Sequence, residues 1–157
     1  MDDKRSLKWC CRLKDGIKIT EPNNRLAESY LEHSRTSLKR AHDMFEAKDF
    51  LWTTVILYYA EYYALYSFLQ KIGVKCENHF CSITAVRFIL GKDKTKTIED
   101  HKGKRIDAQY YMKIADESSI KGIMIAAKEF ILEFQNIVSE LSDKDIEIHR
   151  ELIRKSI

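Results

Sequence analysis

The sequence predicts an all-α protein, and three observations carry that reading. One proline and five glycines in 157 residues leave few places to turn the chain, which favours long helices over many short strands. Apolar side chains recur every three to four residues along most of its length. The twenty residues Leu51 to Gln70 hold one charged side chain, Glu61, and five tyrosines between Tyr58 and Tyr66. A run of that kind is either a membrane span or the central helix of a helical domain. Tyrosine decides for the helical core: its hydroxyl needs a partner when buried, and aromatic residues of spans gather at the two ends. The expected architecture is an antiparallel bundle of four to five helices in one domain, residues 24–157, behind a basic N-terminal arm, residues 1–23.

In the arm, Lys4, Arg5, Lys8, Arg12, Lys14 and Lys18 outnumber Asp2, Asp3 and Asp15. Asp15-Gly16, between Leu13 and Ile17-Lys18-Ile19, predicts a small hairpin. From Asn24 to Ala47 the positions Leu26, Tyr30, Ser34, Leu38, Ala41 and Phe45 repeat at helical spacing. Asp49 is placed to cap the tyrosine helix, and Gly73 to end it in the left-handed conformation. In that helix Val55, Tyr59, Tyr62, Tyr66 and Leu69 form a broad stripe, while Ala60 and Ala64 admit a close neighbour.

A short helix is expected from Ser82 as N-cap to Gly91. The stretch Lys92 to Thr97 reads as an exposed basic connection. A further helix follows near Ile98 to Lys113, with Gly103 weakening its first half. The next starts at Ser118 or Ser119 and keeps Ile120, Met124, Ala127, Ile131, Phe134, Val138 and Leu141 on one face. Ser142 to Asp145 has the form of a capping box for a last amphipathic piece.

The 27 basic and 24 acidic side chains leave a net charge of +3, too mild for a dedicated nucleic-acid coat protein. Met1 to Lys8 is charged and no apolar segment of adequate length follows, so no signal peptide is expected and the reading is cytoplasmic, with no membrane association. The four cysteines, Cys10, Cys11, Cys76 and Cys81, lack the regular spacing of a disulfide framework. Reduced, packed thiols are expected. A zinc site from Cys76, His79 and Cys81 with Cys10 or Cys11 is the other reading, although the spacing C-x2-H-x-C matches no standard knuckle.

Three segments, in this order, resemble the HEPN domain family, in particular its small stand-alone prokaryotic members of archaeal type: Tyr58-Tyr59-Ala60-Glu61-Tyr62-Tyr63-Ala64, Gly73 to His79, and Arg105-Ile106-Asp107-Ala108-Gln109-Tyr110-Tyr111. The resemblance implies a helical bundle, similar also to nucleotidyltransferase substrate-binding subunits, that commonly pairs as a homodimer. It implies nucleotide or RNA binding, and a nucleotidyltransferase-type partner. Many family members are metal-independent ribonucleases or toxins, with an arginine followed after four to six residues by histidine on a late helix. Arg105 has no such histidine, and Gln109 stands where related proteins carry an aspartate.

On this resemblance the candidate binding residues are Arg105, Asp107, Tyr110, Tyr111, His79, Glu61, Lys102 and Lys104. Metal-free RNA cleavage needs a base, an acid and a cation for the developing phosphorane. Arg105 suits the cationic role, and His79 or His101 the titrating one. The competing reading pairs Arg105 with Glu61 or another carboxylate and packs Tyr110 and Tyr111 on the tyrosine helix. Arg35 and His42, seven apart on the first long helix, match the arginine–histidine spacing in the wrong place; a solvated face with an incidental histidine is the preferred reading of this weak alternative pair. Three functions follow: a nucleotide- or RNA-binding module, a ribonuclease toxin, and a non-catalytic helical interaction protein. No cofactor is called for.

Overall fold

The computed structural model describes residues 2–157. Its helices are α1 (Asp3–Arg12), α2 (Asn24–Glu46), α3 (Phe50–Ile72), α4 (His79–Leu90), α5 (Lys96–Tyr111), α6 (Glu117–Glu140) and α7 (Asp143–Arg154). Two short strands, β1 (Lys18–Ile19) and β2 (Val74–Lys75), form the one sheet among the described residues. The protein is all-α. No helix among the described residues is long and apolar enough to cross a membrane.

The tyrosine run is α3, and it is buried on nearly every side. Asp49 caps it, accepting from the Trp52 amide at 3.1 Å, and Gly73 ends it at φ 76°. Its closest neighbour is α2. Ser34 Oγ donates to the Ala60 carbonyl at 2.6 Å, and Ser67 Oγ donates to the Ala27 carbonyl at 2.8 Å. Hydroxyls reach a neighbouring helix's carbonyls only where the backbones lie close, which the small residues Ala27, Ala60 and Ala64, all fully buried, allow. The other flank of α3 is covered by α5 and α6, whose Phe130 and Phe134 meet the main core.

The C-terminal helix closes one end. The capping box of Ser142 and Asp145 starts α7 as its sequence predicts. Buried Arg150 then donates from Nη1 to the carbonyls of Thr20 at 2.7 Å and Ile72 at 2.8 Å. The last carbonyls of a helix lack intrahelical donors, and here a guanidinium supplies one. A Cβ on Gly73 would lie 2.2 Å from that Nη1 and 2.5 Å from the Thr20 carbonyl oxygen.

The N-terminal segment departs most from expectation. Residues 3–12, read as part of an arm, form α1, whose Leu7 and Cys10 are fully buried in the main core. Asp15-Gly16 makes no hairpin with Leu13. β1 pairs antiparallel with β2 instead, Lys18 opposite Lys75 and Ile19 opposite Val74. Gly16 is required by proximity: a Cβ there would lie 1.8 Å from the Cys10 carbonyl oxygen, which accepts from the Ile17 amide.

Cys10 and Cys81 form a disulfide, so the expectation of reduced thiols fails for this pair; Cys11 and Cys76 remain free. α4 begins three residues before Ser82, capped by Asn78, which accepts from the Cys81 amide at 3.1 Å. The basic connection after Gly91 is partly ordered as a 3-10 turn, Lys92–Lys94, and Thr95 is buried rather than exposed.

Candidate functional site

The candidate residues come together where α3, the start of α4 and α5 meet. On α3, Tyr58, Glu61 and Tyr62 are spaced three and four apart, so they share one face. On α5, His101 and Arg105 are four apart and point back at it. Asn78 begins α4 at the position that sets His79 against the tyrosines.

His79 lies flat on Tyr62, ring centroids 3.8 Å apart and planes 9° apart, and its Nδ1 is 3.0 Å from the Tyr58 hydroxyl. Burial, then the positive charges of Arg105 and Lys102, push its pKa from 6.5 to about 4. It is a neutral imidazole at pH 7. The Tyr58 hydroxyl is held protonated by burial, against the pull of Arg105. Tyr62 is raised likewise by burial, its hydroxyl 2.9 Å from Ser82 Oγ.

Arg105 lies across this aromatic wall, Cζ 4.8 Å from the Tyr58 ring centroid and 5.9 Å from that of Tyr59. A guanidinium over tyrosine faces gains from the ring quadrupoles. Its Nη1 donates to Gln109 Oε1 at 3.2 Å, while its buried Nε has no partner among the described residues. Lys102, one turn earlier, stands 5.5 Å from the Phe80 ring. Burial and the Arg105 charge lower its pKa.

Glu61 does not pair with Arg105. Its Oε1 lies 2.5 Å from His101 Nδ1, both side chains buried. Burial raises the Glu61 pKa, the His101 hydrogen bond and charge opposing it. Among the described residues no carboxylate forms an ion pair with Arg105, which removes the competing reading of that arginine. Tyr110 and Tyr111 do not pack on the tyrosine helix either: each is 67% exposed, since α5 ends at left-handed Met112 just beyond them.

Asp107 and Lys104 are exposed and border a shallow cleft with Thr54 and Lys113. Lys104 is 4.0 Å from Asp100. Arg35 and His42 are exposed on α2 and take no part in the cluster; His42 borders a shallow groove with Phe45 and Lys121. The zinc reading is overturned, since Cys10 and Cys81 are joined to each other and His79 is turned to Tyr58 and Tyr62. Among the described residues no group of His, Cys, Asp and Glu side chains is placed to hold a metal ion.

Two aromatic residues near the cluster carry a signal the sequence reading passed over. Trp9 and Phe80 each immediately precede a cysteine of the disulfide. Chemically, the cluster presents a fixed cation on aromatic faces beside a second cation and a neutral imidazole. An arrangement of that kind suits an anion. It holds no accessible group poised near pH 7 for proton transfer, since His79 titrates near 4 and Glu61 and His101 are buried against each other.

No family model, curated protein or solved structure matches the chain.

Proposed function

We propose that the protein is a HEPN-like module, α2 to α6 standing for its four- to five-helix bundle, that binds RNA or nucleotide phosphate at Arg105. The observation that supports this is the Arg105 guanidinium, free of any ion pair among the described residues, resting on Tyr58 and Tyr59 beside Lys102. An unneutralised arginine at the mouth of an aromatic wall suits a phosphate next to a base. Lys104, Asp107, Tyr110 and Tyr111 are exposed on the same helix, α5.

The geometry favours binding over cleavage, for want of an accessible acid or base. A homodimer and a nucleotidyltransferase-type partner belong to the same reading. So does a cytoplasmic setting, where a disulfide such as Cys10–Cys81 is typical of redox-responsive proteins or of hyperthermophiles.

Fluorescence anisotropy of a labelled single-stranded RNA and of a labelled nucleoside triphosphate tests the proposal. Arg105→Ala weakens at least one of them by roughly tenfold or more, and added salt weakens both. Wild-type protein that binds neither at low salt refutes it.

A further inference from the structure

The outer face of α1 is a basic stripe with an indole in its middle. Arg5, Lys8, Trp9 and Arg12 are all exposed, and their spacing of three, one and three residues places them on one side of the helix. The opposite side, Ser6, Leu7 and Cys10, is buried. None of the three cations has an ion-pair partner among the described residues. The two acids at the start of α1 are engaged elsewhere: Asp2 caps the helix and Asp3 pairs with Arg87 at 2.8 Å. The stripe is therefore not neutralised by its own helix.

Trp9 is 46% exposed and Phe80 42% exposed, yet their rings meet edge to face, centroids 6.0 Å apart and planes 73° apart. Both rings are therefore partly open to solvent at the junction of α1 and α4. Lys102 stands over Phe80, which links the pair to the cations of α5. The rings are also fixed in place: Cys10 follows Trp9, Cys81 follows Phe80, and their disulfide holds the two Cα atoms 5.5 Å apart. A contact surface set in advance loses less entropy when it binds.

We infer that this face of α1, with Phe80, binds a single strand of nucleic acid, Trp9 stacking an unpaired base that Phe80 meets at its edge while Arg5, Lys8 and Arg12 hold the neighbouring phosphates. The inference rests on the proposed function for the kind of ligand, and it adds a second contact region on the far side of Lys102. Charge selects the occupant: an extended polyanion matches a row of free cations, and flat bases match exposed rings.

The test uses two labelled oligonucleotides of equal length, a single-stranded RNA and an abasic strand with the same phosphates, on full-length oxidised protein. Trp9→Ala and Phe80→Ala each weaken the RNA roughly tenfold and leave the abasic strand unchanged. The triple change of Arg5, Lys8 and Arg12 to Gln weakens both strands and lowers the salt slope by about two, at roughly 0.7 per phosphate. In a Trp52→Phe background, RNA but not the abasic strand quenches Trp9 fluorescence. RNA binding that Trp9→Ala and Phe80→Ala leave at wild-type strength overturns the inference. If Arg105→Ala still weakens the RNA in that case, the proposed function stands and only the α1 surface falls. Loss on Trp9→Ala with no effect of Arg105→Ala keeps the α1 surface and removes the Arg105 site.

Discussion

Glu61 Oε1 and His101 Nδ1 lie 2.5 Å apart between α3 and α5, both side chains buried. Two unprotonated acceptors repel at that distance, so a proton lies between them. That shared proton gives each of the two buried atoms a partner, which lowers the cost of burying them.

His101→Leu leaves a buried carboxyl without its donor and costs about 3 kcal/mol. Replacing both residues together, Glu61→Met with His101→Leu, costs less than the sum of the single changes, because no polar group is then stranded. Urea denaturation of the four proteins measures the cycle. Strict additivity would show that the two side chains do not act as a pair.

His79 gives stability a pH dependence of known sign. Its pKa falls from 6.5 in the unfolded chain to about 4 in the fold, through burial and the charges of Arg105 and Lys102. As pH falls through 6.5 the unfolded chain takes up a proton that the folded protein refuses until about 4. The stability present above that window is lost across it, by roughly 1–2 kcal/mol after allowance for solvent screening. His79→Gln flattens this part of the profile. NMR titration of the imidazole in the folded protein checks the premise, and a value near 6.5 contradicts it.

Gly73 and Arg150 are coupled by space. Gly73→Ala sets a Cβ at φ 76° against the guanidinium, with a cost of about 2 kcal/mol or more. Arg150→Met leaves the Thr20 and Ile72 carbonyls without their charged donor and costs roughly 2–3 kcal/mol. Because the alanine displaces the group that arginine removal deletes, the double variant is less destabilised than the two changes added. Thermal melts report it.

The disulfide closes a loop with a sequence separation of 71. On the chain-entropy account, cutting a loop of that size costs about 4 kcal/mol. Cys10→Ser with Cys81→Ser lowers the urea midpoint, and a phosphine reductant lowers the wild-type midpoint to match while leaving the variant unmoved. A midpoint indifferent to reductant would mean that the bond does not form in solution.

Local signals made much of the fold legible. Asp49, Gly73, Ser142 and Asp145 act where their neighbours in sequence say they should, because a cap needs only the next few residues. α1 was hidden by its charge, since a short helix with few apolar positions reads as polar even when Leu7 and Cys10 are its anchors. The Cys10–Cys81 bond, 71 residues across, depends on α1 docking and has no local sign. The partner of Glu61 was narrowed but missed. His101 and Arg105 lie four apart on the same face of α5, and only the longitudinal register of α5 against α3 decides which meets the carboxyl. That register also sends Arg105 to Tyr58 and Tyr59, which is why the central question about the site could be posed from sequence and not answered there.

The clasp of Arg150 on the Thr20 and Ile72 carbonyls has a consequence for how the chain is born. On the ribosome, α1, α3 and α4 emerge long before α7, so Cys10 and Cys81 can meet, and be oxidised, while Arg150 is still unmade. The open end of α3 and the strand junction stay unlatched through that interval. Synthesis thus allows an order in which the covalent tie precedes the polar latch, which arrives only with α7.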